Sequence, residues 1–184
     1  MAVTLVGISG HFGLAARAES EALTRPPTLT VCHALTIDLL TAVAEAEGEF
    51  AGEGLNVVLF PFATGRDALA AMLEGKCDLA TVDETPLVLT AFERNDLRII
   101  ATTRTTRDLD RIAARKAAGI STVDDLRGKR VGVIPRTPSP YFLNRLLLAN
   151  GIDRADVTAL PFASPPALVS ALIRGEVDAI ALWP

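Results

Sequence analysis

The sequence predicts an α/β protein with two similar lobes, each a parallel β-sheet built from strand–helix–strand units. Short apolar runs alternate with amphipathic runs of helical length from residue 28 onward, which is the pattern of parallel sheets with crossover helices. An offset of 100 residues aligns two long segments of the chain. With 49% hydrophobic and 22% charged residues over 184 positions, the chain can bury a core.

The internal repeat is the strongest of these observations. The segments FPFATGRDALAAMLEGKCDLATV and LPFASPPALVSALIRGEVDAIAL, which begin at residues 60 and 160, match at Pro-Phe-Ala, at a glycine and at an aspartate. Two unrelated strand–helix–strand units could share the same spacing of apolar residues. That spacing does not explain why a glycine and an aspartate also match in register. A duplicated α/β lobe indicates a ligand held between two lobes.

In the first lobe, strands are predicted at 28–34, 55–61, 77–82 and 97–103, and helices at 37–50, 65–74 and 85–95. Leu69, Met72 and Leu73 have helical spacing. Thr36, Thr64 and Thr85 lie at the starts of the three helices as capping residues.

The second lobe is predicted to open with the stretch KAAGISTVDDLRGKRVGVIPRTPSPYF at 116–142. Thr122 begins a short helix that Gly128 ends. A strand at 130–134 then leads through a hydroxyl- and proline-rich turn into a helix at 140–150. Further strands are predicted at 157–161 and 177–183, a further helix at 165–174, and a possible strand at 111–116.

The predicted organisation is an N-terminal extension or signal-like segment at 1–27, lobe one at 28–104, a hinge or crossover at 105–120, and lobe two at 121–184. Ala16-Arg17-Ala18 could be a small-residue cleavage site. No lysine or arginine precedes the apolar part of that segment. A disordered extension or a wrongly assigned start is therefore the alternative to a signal.

Composition argues against several functional classes. The net charge is −4 and no basic stripe occurs, so nucleic acid is not an expected partner. No apolar run is long enough to span a membrane. Cys32 and Cys77 are expected to be buried free thiols, although a disulfide would be possible in an exported chain. His11 and His33 lack partners at ligand spacing, so neither a metal nor a cofactor is expected.

Binding residues are expected where parallel strands end and their connections leave for helices. These positions hold Thr36, Thr64, Gly65, Arg66, Asp83, Glu84, Thr85, Arg136, Thr137, Ser139, Tyr141 and Trp183. The threonines could serve only as helix caps, the arginines could be solvated, and the aromatic residues could belong to the core. The adjacent carboxylates of Asp83 and Glu84 repel a bare anion such as nitrate, and favour a zwitterionic or amine-bearing heterocyclic solute.

No catalytic residue is predicted. The chain has no G-x-S-x-G, Walker or G-x-G-x-x-G pattern. Cys32 and His33 are adjacent, but neighbouring strand residues point to opposite faces of a sheet.

Four segments carry a family resemblance: GISTVDDLRGKRVGV at 119–133, LEGKCDLATVDETP at 73–86, GEVDAIALWP at 175–184 and EGLNVVLFPFATGRDAL at 53–69. Together they resemble the substrate-binding proteins of bacterial ABC importers, in the nitrate, sulfonate, taurine and thiamine-precursor branch. The family continues beyond the point reached here, so the second lobe is expected to be incomplete.

The resemblance implies the two-lobed periplasmic-binding-protein fold. It also implies a monomer, in the periplasm or on the extracytoplasmic cell surface, that closes on a small organic solute and delivers it to an ABC permease. The alternative is an enzyme or cytosolic sensor of the same fold, linked to the biosynthesis of cofactors such as thiamine or menaquinone.

Overall fold

A computed structural model of the chain describes residues 2–8 as backbone, and residues 26–35, 38–107 and 109–183 in full. Internal contacts divide the chain into two compact units, one from Ala2 to Thr105 and one from Thr106 onward. We call these units lobe one and lobe two. Within the described part of the chain, no helix has the length and apolar character needed to cross a bilayer.

The described residues of lobe one form a five-stranded sheet with four helices. Its strands are β1 (Ala2–Ile8), β2 (Thr28–Ala34), β3 (Asn56–Phe62), β4 (Leu79–Asp83) and β5 (Leu97–Thr105). Its helices are α1 (Leu39–Ala46), α2 (Glu49–Gly52), α3 (Gly65–Leu73) and α4 (Glu84–Ala91). The strand order is β3-β2-β4-β1-β5, with β2 parallel to both β3 and β4. The single helix predicted at 37–50 is two helices, separated at Gly48, whose φ of 76° is left-handed.

Strand β1 departs from the sequence prediction. It lies between β4 and β5 and is antiparallel to both. Part of the segment assigned to an N-terminal extension therefore belongs to the sheet of lobe one. The candidate cleavage site at residues 16–18 lies outside the described residues.

Lobe two is a four-stranded sheet with two long helices. Its strands are β6 (Arg111–Ala114), β7 (Arg130–Val133), β8 (Thr158–Pro161) and β9 (Ala179–Leu182), and its helices are α5 (Pro138–Ala149) and α6 (Pro165–Arg174). The order is β6-β9-β7-β8, with β7 parallel to β8 and β9, and β6 antiparallel to β9. The helix predicted near Thr122 is a 3₁₀ turn at Asp124–Leu126.

The 100-residue repeat is confirmed in the strand registers. Val31 of β2 lies opposite Leu79 of β4, and Val131 of β7 lies opposite Ala179 of β9. The two repeated helices, α3 and α6, begin after a capping hydroxyl and are followed by Gly75 and Gly175, both left-handed. The repeat therefore holds at the level of individual backbone positions.

An aspartate before the third strand of each repeat binds the start of the first strand. The Asp78 carboxylate accepts the N–H of Thr30 at 2.8 Å and its hydroxyl at 2.6 Å. The Asp178 carboxylate accepts the N–H of Arg130 at 3.0 Å, and also binds the guanidinium groups of Arg130 and Arg115. Hydrogen bonds from the Arg130 side chain and N–H lower the pKa of Asp178 far below its ordinary value.

We predict that Asp178→Asn lowers the free energy of unfolding of lobe two by about 1–2 kcal/mol at neutral pH, because charge-assisted hydrogen bonds are lost. Because the folded-state pKa is depressed, this stabilisation is fully present above the unfolded pKa, near 3.9. It declines as the pH falls below that value and is lost as the pH falls through the much lower folded-state pKa. Urea denaturation can be followed by the fluorescence of Trp183, which is the single tryptophan of the chain and is buried in lobe two.

The difference between wild type and variant should begin to shrink below about pH 5 and should go on shrinking below pH 3. The control is Asp124→Asn, which alters a largely exposed carboxylate 3.9 Å from Arg127. A difference that is independent of pH, or equal to that of the control, would contradict this role for Asp178.

The expectation of free thiols is wrong, because Cys32 and Cys77 form a disulfide with a Cα–Cα distance of 5.7 Å. Both cysteines are buried. Parallel pairing of β2 and β4 brings the turn before β4 beside Cys32, although 45 residues separate the two cysteines. The bond therefore closes a long loop within lobe one.

We predict that Cys32→Ala/Cys77→Ala lowers the free energy of unfolding of lobe one by about 2–4 kcal/mol, since the unfolded chain loses a constraint. Far-UV circular dichroism during urea denaturation measures this loss. A reductant should destabilise the wild type and leave the double variant unaffected. Equal stability of the oxidised wild type and the double variant would contradict the prediction.

Candidate functional site

The parallel strands of lobe one bring their carboxyl ends to one edge of the sheet. His33 lies near the end of β2, Thr64 follows β3, and Asp83 ends β4. Ligands of open parallel sheets bind at this kind of edge. The predicted lobe-one residues that lie within the described part of the chain are therefore grouped there.

Thr64 and Arg66 are both tied to Asp67 at the start of α3. The buried Thr64 hydroxyl accepts the N–H of Asp67 at 3.1 Å and donates to its carboxylate at 2.7 Å. The Arg66 side chain donates to the same carboxylate at 3.0 Å. Thr64 is thus a helix cap, as predicted, and Gly65 begins the helix at a buried position.

The acidic pair lies where β4 passes directly into α4. Asp83 is buried and is the N-cap residue, and Glu84 is half-buried in the first turn of the helix. The prediction that Thr85 caps this helix is wrong, because the helix begins one residue earlier and Thr85 lies inside its first turn. No turn residue separates strand from helix, so the sequence gives no clear boundary there.

The predicted cap at Thr36 lies outside the described residues, and the residue that caps α1 is Asp38. The buried Asp38 carboxylate accepts the N–H of Thr41 at 3.3 Å and its hydroxyl at 2.5 Å. Its Oδ2 is also 3.6 Å from Nδ1 of His33. Sequence reasoning missed Asp38, although an aspartate directly before an apolar run of helical length is a capping signal.

In lobe two, Thr137 and Ser139 hold the first turn of α5 against the sheet. The Thr137 hydroxyl donates to the carbonyl of Ile134 at 2.7 Å and accepts the N–H of Ser139. The Ser139 hydroxyl donates to the carbonyl of Ala181 at 2.6 Å and accepts the N–H of Ile134. Both side chains are buried, so each has a structural role at the predicted edge.

The remaining predicted residues of lobe two differ in exposure. Arg136 is exposed and has a left-handed φ of 59°, which is uncommon for a residue with a side chain. Tyr141 on α5 is 59% exposed, and Trp183, directly after β9, is buried. Of these three, Trp183 is packed in the interior, while Arg136 and Tyr141 reach solvent.

Both lobes contain a cavity that lies away from these residues. In lobe one, a cavity of about 330 Å³ has an apolar lining that includes Val31, Leu40, Phe50 and Leu55. In lobe two, a cavity of about 480 Å³ lies beside β6 and α5. Neither lining contains a predicted site residue. Within the described ranges, no group of three or more His, Cys, Asp or Glu is placed to hold a metal ion.

Residues 39–183 match the protein family described as NMT1/THI5 like. The chain belongs to this family. Over 142 residues it is 27% identical to the taurine-binding periplasmic protein of Escherichia coli K12. The aligned region is 77% of this chain and 43% of that protein. The family resemblance inferred from the sequence is confirmed.

Solved structures support the fold. The alkanesulfonate-binding protein SsuA of Xanthomonas axonopodis pv. citri, bound to MOPS, is 24% identical with a TM-score of 0.76, over 87% of this chain and 55% of that one. The periplasmic aliphatic sulphonate binding protein SsuA of Escherichia coli is 23% identical with a TM-score of 0.70, over 86% and 54%. The chain spans about half the length of these proteins, and the predicted α/β periplasmic-binding-protein fold is confirmed.

Proposed function

We propose that the chain binds a small organic solute at the carboxyl-terminal edges of its lobes, as part of a binding protein that delivers the solute to an ABC importer. The family match, which extends over both lobes, carries this proposal. The relatives named above are binding proteins, and we propose a non-catalytic role. The permease would be the membrane partner, and the binding protein would act as a monomer.

The proposed solute carries both an ammonium group and an anionic group. Asp83 and Glu84 are consecutive residues at the edge of lobe one, where β4 passes into α4, and their carboxylates favour a cation. The first N–H groups of α3, at Gly65 and Arg66, follow β3 at the same edge and favour an anionic group. Taurine, the ligand in the name of the relative from Escherichia coli, has both groups and is the first solute to test.

An extracytoplasmic location is proposed on two grounds. The relative from Escherichia coli is periplasmic by name. The Cys32–Cys77 disulfide is of a kind that persists mainly in oxidising compartments. Both observations favour the periplasm or the cell surface over the cytosol.

We predict that Glu84→Gln weakens taurine binding by about fivefold to tenfold. The substitution removes the attraction between the Glu84 carboxylate and the ammonium group, which is of order 1 kcal/mol. Binding of ethanesulfonate, which lacks the amine, should stay the same or tighten. Isothermal titration calorimetry measures both affinities, after a thermal-shift screen with taurine, alkanesulfonates, nitrate and pyrimidines.

The matched control is Glu74→Gln. Glu74 lies at the other end of α3 and forms an exposed ion pair with Lys76. Taurine affinity that is unchanged in Glu84→Gln would remove Glu84 from the site. Wild-type protein that binds none of the screened solutes would contradict the proposed solute class.

A further inference from the structure

His33 is a buried imidazole with no hydrogen-bond partner in the described part of the chain. The residue is 2% exposed, and among the described residues neither Nδ1 nor Nε2 has a hydrogen-bonding neighbour. Burying an unpaired polar group destabilises a fold. A role outside folding is therefore the natural explanation for this side chain.

The internal repeat provides a built-in comparison. At the offset of 100 residues, His33 corresponds to Val133, which is 5% exposed and belongs to the hydrophobic core of lobe two. Thr81, on the neighbouring strand β4, corresponds to the fully buried Ala181. The same backbone position thus accepts an apolar residue in lobe two, so packing does not require a histidine in lobe one.

The Asp38 carboxylate lies beside the imidazole, beyond hydrogen-bond distance. Its Oδ2 lies 3.6 Å from Nδ1 of His33, and the Thr41 N–H and hydroxyl hold the carboxylate in place. A carboxylate on this side favours the tautomer with hydrogen on Nδ1. Nε2 then carries a lone pair and can accept a hydrogen bond.

The pair also lies at the edge where a solute is expected. His33 is the penultimate residue of β2. Because β2 and β4 are in register at Cys32 and Ala80, His33 lies next to Thr81. Asp83 follows on the same face of β4, since side chains alternate along a strand.

We propose that His33 and Asp38 form a subsite that selects solutes with an N–H or O–H donor. His33 Nε2 accepts the donor, and Asp38 is the positioning residue that fixes the ring. This inference rests on the proposed solute-binding function, and it adds a neutral acceptor to the carboxylates at the edge. The hydrogen-bond donor that Nε2 lacks within the described residues is supplied by the solute.

The test is His33→Val, which introduces the lobe-two residue at the corresponding position. Thermal unfolding of this variant should occur at the wild-type temperature or higher. Calorimetry should show taurine binding weakened about tenfold, as expected for a lost buried hydrogen bond, with ethanesulfonate within twofold of wild type. Lower stability, or an unchanged ratio of the two affinities, would overturn the proposal.

Asp38→Asn tests the positioning role, with Asp153→Asn as its control. Asp153 caps a 3₁₀ turn of lobe two by accepting the N–H of Ala155 at 2.8 Å. Asp38→Asn should reduce the preference for taurine over ethanesulfonate, and Asp153→Asn should leave it unchanged. Because asparagine caps helices as well as aspartate does, an equal effect of both substitutions would contradict the positioning role of Asp38.

One measurement decides the inference even if no tested solute binds. Nitrogen-15 NMR of the imidazoles reports the tautomer, and His11 is the only other histidine of the chain. His33 should be the Nδ1–H tautomer in wild type, and this preference should weaken in Asp38→Asn. An Nε2–H tautomer in wild type would overturn the proposal, whereas absence of solute binding alone would contradict the proposed function.

Discussion

Each lobe depends on one carboxylate that holds two parallel strands in register. Asp78 and Asp178 accept the N–H of Thr30 and of Arg130, and the N–H of each aspartate binds the carbonyl of the same strand residue. A slip of one residue would turn every side chain of a strand to the opposite face. The alignment of the strand ends, and with it the proposed binding edge, follows from this reciprocal contact.

The duplication could be predicted because the residues that match between the two repeats lie where the backbone conformation or its hydrogen bonds require that type of residue. Gly75 and Gly175 are left-handed helix ends, and the two aspartates make the strand contact. Strand β1 could not be predicted, because its partners β4 and β5 are distant in sequence. Nothing within a short apolar segment indicates which strands it pairs with. The disulfide was missed for a related reason: parallel pairing creates the proximity of its cysteines.

The predicted binding residues lie mostly at the expected edges, but several of them form hydrogen bonds that stabilise the local structure. Thr64, Thr137 and Ser139 satisfy backbone groups around helix starts. Sequence position identified the edge, whereas hydrogen-bond partners depend on side-chain geometry that residue spacing does not reveal.

The difference between His33 and Val133 could be read from the repeat itself, since a polar residue in lobe one occupies the position of an apolar residue in lobe two. The proposed chemical discrimination therefore lies in lobe one.

The most direct test of the binding edge is a proton–nitrogen NMR titration of the wild-type protein with taurine. We predict that the largest shift changes occur at the backbone amides of Gly65, Arg66 and Glu84, where β3 and β4 give way to helices. The amides of Thr30 and Arg130, at the opposite ends of the strands, should be unaffected. Changes concentrated at those amino-terminal ends, or around the apolar cavity lined by Leu40 and Phe50, would contradict binding at the carboxyl-terminal edge.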